Sequence, residues 1–182
     1  MQIRLDDLTD PQTIALLEYH VAAMRAASPP GQSFALDLPG LKLSGISVWS
    51  LWRGPDIAAI AALKRLGDGS GEIKSMRTHP DHLRQGAGAA LLDHIIAVAR
   101  AERLSRLSLE TGSGPLFDAA LALYRSRGFG EGPAFGDYVA SDFNQFFHLE
   151  LAPQGQDPSP WRSGRFRDRP AQASGERRGG QG

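Results

Sequence analysis

A glycine-containing turn at residues 82–92, with the sequence HLRQGAGAALL, constrains the fold of this chain more than any other segment. It follows a strand-like segment at residues 72–78 and leads into a helical segment that runs from Gly86 to about Arg103. Such a turn directs several backbone N–H groups toward one point, and the helix dipole adds partial positive charge there. The segment therefore predicts a site for a phosphate group at the start of the helix.

The part of the chain before this turn is typical of one helix and four strands. Asp10 is predicted as the N-cap of the helix and Pro11 as its first residue, and residues 28–31 end it. Residues 34–43 are loop-like, with room for a short helical turn. The strands are predicted at residues 2–5, 46–53, 57–66 and 72–78. The alanines of the third strand also permit a helix, but its position in a hairpin favours a strand.

The part after the turn alternates between helix and strand. Leu91, Leu92, Ile95, Ile96 and Ala99 form the apolar stripe of the long helix. A strand is predicted at residues 106–110 and is broken at residues 111–115, where a proline is placed to start the next helix. Gly128 is predicted to end that helix, followed by a glycine-rich loop at residues 130–136 and a last strand at residues 144–151.

Composition excludes several classes of function. The chain has 182 residues, of which 41% are hydrophobic and 22% charged, and its formal net charge is zero. With no block of like charges in residues 1–151, binding to nucleic acid or to an anionic membrane is not expected. There is no cysteine, which excludes disulfides and thiolate chemistry. We expect a soluble cytoplasmic protein, because the N-terminus enters a strand pattern directly.

The chain divides into a folded part, residues 1–151, and a tail rich in Arg, Gly and Pro, residues 152–182. The last 30 residues hold six arginines, four prolines and six glycines. Such a composition cannot bury enough apolar surface to offset the entropy of ordering, so the tail is predicted to be disordered. Its net charge of +3 leaves nucleic acid as a partner open, although a solvated extension is the simpler hypothesis.

Three motifs in the right order resemble those of the GNAT superfamily of acetyl-CoA-dependent N-acetyltransferases. They are residues 72–80 (EIKSMRTHP), 86–92 (GAGAALL) and 121–129 (LALYRSRGF). Residues 111–113 and 135–138 further resemble a bacterial subgroup of small stand-alone enzymes. The resemblance covers residues 1–151 and implies an α/β (α+β) fold. Its mixed, mostly antiparallel sheet would have six to seven strands flanked by helices, with a V-shaped opening between the fourth and fifth strands.

The resemblance implies acetyl-CoA as the donor and assigns residues to it. The pantetheine arm would bond to the backbone of Met76, Arg77 and Thr78, with an N–H near Met76 polarising the thioester carbonyl. The pyrophosphate would meet the backbone amides of Arg84, Gln85, Gly86, Ala87, Gly88 and Ala89. The family usually has Arg or Gln three positions before the first glycine, where this chain has Leu83. Coenzyme binding should therefore depend mainly on backbone amides.

Tyr124 is the predicted catalytic acid. The family places such a tyrosine beside the coenzyme sulfur, and a phenol with a pKa near ~10 can protonate a thiolate whose acid has a pKa near ~8.5. The alternative is that Tyr124 only fills the apolar face of its helix, as Phe117 and Leu121 do.

Glu72 is the predicted base, because related enzymes often place a carboxylate at the start of the fourth strand. Glu110, at the end of the fifth strand, competes for that role, and a water chain is a further option. The alternative for Glu72 is an exposed carboxylate at a strand end, next to Lys74.

Acceptor recognition is assigned to Phe34, Asp37 and Tyr138. Asp37, Glu72 and Asp137 would attract a cationic amine, which suits a small amine or an amino acid. The equal alternative is that they are ordinary turn and cap carboxylates. A protein amine remains an alternative acceptor. No metal is predicted, because the five histidines show no convincing ligand spacing.

Three hypotheses follow from the sequence. The first is an N-acetyltransferase that acts on a small amine in a ternary complex with acetyl-CoA. The second is a non-catalytic acyl-CoA-binding or sensor domain, and the third is an interaction domain whose glycines only pack a helix. The resemblance also leaves a homodimer open, since dimers are common in the family.

Overall fold

The computed structural model describes residues 1–31 and 33–151, which form one sheet flanked by helices. The described strands are β1 (Gln2–Asp6), β2 (Ile46–Arg53), β3 (Asp56–Arg65), β4 (Gly71–Thr78), β5 (Arg106–Gly112), β6 (Gly130–Glu131) and β7 (Asn144–Glu150). The helices are α1 (Pro11–Ala27), α2 (Leu38–Leu41), α3 (Ala87–Ala101) and α4 (Asp118–Ser126), with a 3₁₀ turn at Pro80–His82. The predicted tail, residues 152–182, lies outside the described residues.

The sheet has the strand order β1-β2-β3-β4-β5-β7-β6. Every pairing is antiparallel except that of β4 with β5, which is parallel. The predicted α/β (α+β) fold with a mostly antiparallel sheet is confirmed, and so is the assignment of residues 57–66 to a strand. In the described residues no helix is both long and apolar enough to cross a bilayer.

The two parallel strands separate soon after they meet. Their register contains only the pairs Gly71–Leu107 and Glu72–Ser108. On its other side β4 has a bulge opposite β3, where the register shifts between Ile60 and Ala62 and Ser75 adopts a positive φ of 50°. A bulge bends its strand and increases the local twist, so β4 turns away from β5. This produces the predicted V-shaped opening.

Helices cover both faces of the sheet. On one face, the predicted stripe of α3 packs with α4 against β2 to β5, and Leu91, Leu92 and Ile95 are fully buried. On the other face, Leu16 and Leu17 of α1 pack with Leu41 against Trp52 and its neighbours. Truncating one of the buried leucines to alanine should cost about 2–5 kcal/mol.

Two boundaries predicted from the sequence near Gly112 are wrong: the end of β5 and the start of α4. β5 continues two residues beyond the predicted end, because β7 pairs with it along its whole length. A Cβ on Gly112 would lie 2.5 Å from Phe117 and 2.6 Å from Phe143, so this glycine permits close aromatic packing instead of ending the strand. Residues 115–117 form a turn, and α4 begins at Asp118 instead of Pro115. The predicted loop at residues 130–136 contains the short strand β6.

Candidate active site

The N-terminus of α3 is an open group of backbone donors. Gly86 precedes the helix with φ 82°, and the amide of Ala90 donates to the Gly86 carbonyl at 3.0 Å. The amides of Ala87, Gly88 and Ala89 come before that first helical bond, so the helix offers them no acceptor. No side chain among the described residues caps this end. These donors and the helix dipole together suit a phosphate.

Gly88 brings this helix end close to β4. A Cβ at this position would lie 3.0 Å from the Thr78 hydroxyl and 3.8 Å from the Met76 methyl group. The end of β4 and the start of α3 are therefore in close contact.

Arg53, which the sequence did not single out, holds the turn before α3. Its guanidinium donates to the Gln85 carbonyl at 2.5 Å and to Gln85 Oε1 at 3.1 Å. The Gln85 amide group donates in turn to the Asp81 carbonyl at 3.0 Å. The Gln85 side chain is thus occupied by hydrogen bonds to other residues of the protein. Arg84 is exposed beside it and has a φ of 56°. Leu83 is 56% exposed and adds no polar group to the turn.

A cleft that is open to solvent lies in the V-shaped opening. Residues of α1, β4, β5 and α4 line it, among them Met76, Arg77, Glu110 and Tyr124. Thr111, Gly112, Phe117 and Phe143 complete the wall on the β5 side.

Tyr124 is buried at the cleft with its hydroxyl available. The described partner of the hydroxyl is Met76 Sδ at 3.6 Å, and a thioether is a weak acceptor. The ring packs edge-on against Phe129 at 5.8 Å, which fixes its position. Burial raises the pKa of Tyr124 to about 12, so the phenol is protonated at neutral pH and can donate a proton.

Glu110 lines the same cleft and is half-buried. Burial raises the pKa of its carboxyl group to about 7; Lys74 opposes that effect and Glu72 adds to it. A carboxyl group whose pKa lies near neutrality can both take up and release a proton under physiological conditions.

Glu72 has a different environment from the one expected at a strand end. Its side chain is 2% exposed and is not among the residues that line the cleft. It accepts a 2.5 Å hydrogen bond from the Tyr138 hydroxyl and lies 3.2 Å from Lys74 Nζ. Lys74 in turn donates to the Tyr138 oxygen at 2.6 Å. Burial and the neighbouring carboxylate raise the pKa of Tyr138, which keeps the phenol protonated.

The three predicted acceptor residues fall in different places. Phe34 lines the cleft, and its ring meets that of Tyr138 edge-on at 5.0 Å. Tyr138 packs against Phe34 and accepts a hydrogen bond from Lys74. Asp37 instead caps α2, where it accepts a hydrogen bond from the Gly40 amide at 3.0 Å, and it does not line the cleft. Its carboxylate therefore has a local structural role.

Two residues that the sequence did not assign also line the cleft. His20 of α1 is 6% exposed, and Ser75 occupies the bulge of β4. His20 Nδ1 and Ser75 Oγ are buried without a hydrogen-bond partner among the described residues. No metal-binding group of three or more His, Asp or Glu side chains occurs in the described ranges, and the prediction of no metal stays a prediction.

The site as a whole combines a helix start that no described side chain caps with a cleft lined by Tyr124 and Glu110. A phosphate group suits the amides of α3, and the two side chains of the cleft can exchange protons with a ligand. This arrangement suits transfer of an acyl group between a phosphate-bearing donor and a nucleophile that must lose a proton.

Comparison with known proteins also indicates transfer of an acyl group. Residues 13–129 match the family model described as the acetyltransferase (GNAT) family. The chain is 43% identical to the uncharacterized N-acetyltransferase YedL of Escherichia coli, over 86% of this chain and 98% of that protein. It is 44% identical to the uncharacterized N-acetyltransferase YsnE of Bacillus subtilis, over 81% and 97%. A crystal structure assigned as an acyl-CoA N-acyltransferase from Klebsiella pneumoniae is 27% identical, covers 83% of this chain and 97% of its own, and superimposes with a TM-score of 0.70.

Proposed function

Because this chain belongs to the GNAT acetyltransferase family, we propose that it transfers the acetyl group of acetyl-CoA to a primary amine of a small molecule or amino acid, by direct attack in a ternary complex. The presence of Glu110 and Tyr124 in one cleft with Met76, whose methyl group lies close to the start of α3, carries this proposal. Family membership also excludes the third hypothesis, that of an interaction domain without a coenzyme.

The donor would extend from the start of α3 to the cleft. The amides of residues 84–89 hold the pyrophosphate, with Arg84 free to add a side-chain contact. The pantetheine arm follows the backbone of Met76, Arg77 and Thr78. Ser75 and Met76 fall in the bulge and have no register partner on β3, which supports a backbone N–H near Met76 as the donor to the thioester carbonyl.

Glu110 is the base in this proposal, in preference to Glu72. Glu110 lines the cleft and has a carboxyl pKa of about 7, whereas Glu72 is held by Tyr138 and Lys74 outside the lining. A base must come within reach of the proton that it removes, and Glu110 meets that requirement directly. Glu72 then has an indirect role in the reaction, because it keeps Lys74 and Tyr138 in position.

The reaction then proceeds with protons balanced. Glu110 takes one proton from the acceptor ammonium group, and the neutral amine attacks the thioester carbonyl carbon. The C–N bond forms, the C–S bond breaks, and the Tyr124 hydroxyl protonates the leaving thiolate. The nitrogen loses its second proton as the amide forms, which restores Tyr124 through solvent.

A thiol-release screen tests this function. The chain is mixed with acetyl-CoA and a panel of primary amines, and free coenzyme thiol is measured with a thiol reagent. Acceptor-dependent release is expected, together with thermal stabilisation by acetyl-CoA alone. Stabilisation without release for any amine would favour the non-catalytic sensor, and release with a lysine peptide alone would favour a protein acceptor.

A further inference from the structure

Two cations line the acceptor side of the cleft, and both come from β4. Lys74 is 8% exposed, and its ammonium group is held by Tyr138 at 2.6 Å and by Glu72 at 3.2 Å. These contacts use two of its three donors. Arg77 stacks its guanidinium over the Tyr19 ring at 4.7 Å from the centroid. Among the described ion pairs none involves Arg77, so its charge has no carboxylate counterpart there.

His20 adds a buried polar group beside these cations. It is 6% exposed and lines the cleft, and its Nδ1 atom is buried without a described partner. An unsatisfied buried donor or acceptor is destabilising, so such a group marks a place where a ligand can supply the partner. Burial, reinforced by Arg77 and Lys74, lowers the pKa of His20 to about 4. The ring is therefore neutral at pH 7 and can donate one hydrogen bond.

The lining of the cleft carries groups of both signs. Arg77 and Lys74 are cations of the lining, and Glu110 supplies a carboxyl group. Arg77 and Lys74 lie close enough to His20 to disfavour its protonated form. Such a lining matches a ligand that carries both an ammonium and a carboxylate group.

We propose that the acceptor is an amino acid or a similar amine with a carboxylate a few bonds from its nitrogen. Arg77 and His20 bind the carboxylate, and Glu110 receives the proton of the amine. This inference rests on the proposed acetyltransfer and names the acceptor class for the same site. A planar guanidinium can bind a carboxylate through two parallel hydrogen bonds, which also orients the amine toward the thioester.

Matched acceptors test the inference. Thiol release from acetyl-CoA is measured with L-amino acids, each beside its carboxamide and its decarboxylated amine. The wild type should favour the carboxylate by about 10- to 100-fold in kcat/KM, the worth of a charged hydrogen bond. Arg77→Gln should raise KM for the amino acid by a similar factor and remove the preference for the carboxylate. Arg77→Lys keeps the charge and should fall between the two.

Arg25→Gln is the matched control, since it removes the same charge from the exposed side of α1, outside the cleft. Circular dichroism melting confirms that each variant is folded. Equal rates for the three members of each set, or equal losses for all acceptors in Arg77→Gln, would overturn the inference while the acetyltransferase function stands.

A binding measurement separates the two proposals. Calorimetry on the CoA-bound protein compares N-acetyl amino acids, which carry the carboxylate, with their N-methylamides. Tighter binding of the acids that is lost in Arg77→Gln, without any turnover, would support the carboxylate site and reject the proposed function. If turnover and this binding preference are both absent, both proposals fail.

Discussion

The Tyr138 hydroxyl donates a 2.5 Å hydrogen bond to Glu72, across 66 positions of sequence. This contact fixes a loop after β6 against the start of β4 and satisfies a carboxylate that is 2% exposed. Lys74 closes the triangle by contacting both residues. The carboxylate predicted as the base is therefore part of a buried polar network, and the neighbouring Glu110 is left to face the cleft.

Substitution of the two carboxylates should give different results. Glu110→Gln should lower kcat/KM by roughly 100- to 10,000-fold with little loss of stability, because it removes a general base. Glu72→Gln should lower the free energy of unfolding by about 3–5 kcal/mol, because it leaves Lys74 buried without its counter-charge. Urea unfolding and thiol release measure the two effects, and the exposed Glu150→Gln is the control. A stable, inactive Glu72→Gln with an active Glu110→Gln would reverse the assignment.

The pH dependence of the rate should report Glu110. Its carboxyl pKa is raised to about 7, so the basic form is lost as the pH falls through that value. Log kcat/KM should then decline with unit slope below about pH 7. In Glu110→Gln this limb should be absent and the residual rate flat over the same range. A limb that persists unchanged in the variant would assign it to another group, such as the acceptor amine.

Tyr124→Phe should lower kcat and leave donor binding unchanged. The substitution removes one hydroxyl whose described contact is a thioether, and it keeps the ring that packs on Phe129. Loss of a general acid should reduce kcat by about 100-fold or more. Steady-state kinetics give kcat, and calorimetric titration gives the Kd of acetyl-CoA. Full turnover in this variant would leave Tyr124 as a core residue only.

Gly86→Ala should weaken acetyl-CoA binding through the backbone. Its φ of 82° is unfavourable for a residue with a Cβ, although the space beside it is open. The strain should cost about 1–2 kcal/mol of stability or shift the turn. Gly54→Ala is a matched control, because Gly54 also has a positive φ, 60°, and open space but lies in the β2–β3 turn. Both variants should lose stability, and only Gly86→Ala should raise the Kd of acetyl-CoA.

Much of the fold could be predicted from local sequence because its causes are local. Alternating apolar residues define β2, and Asp10 with Pro11 defines the start of α1, where the Asp10 side chain accepts from the Gln12 amide at 2.9 Å. The phosphate-binding turn is also local, since it consists of consecutive backbone amides before α3. At Gly112 the reason for the glycine lies in residues distant in sequence, and the strand end predicted from its neighbours was wrong.

The chemistry of the cleft was decided by tertiary structure. Sequence named Glu72 and Glu110 as competing bases, but nothing in the neighbouring residues reveals that Tyr138 binds the first and that the second is half-buried in the cleft. The desolvation that raises the pKa of Glu110, and the burial that leaves His20 Nδ1 without a partner, come from strands and helices far apart in the chain. Sequence by itself determined which secondary structures form and where a phosphate can bind, because those depend on neighbouring residues. Only the packed structure decided which carboxylate lines the cleft, because burial and charge pairing depend on contacts across the whole sheet.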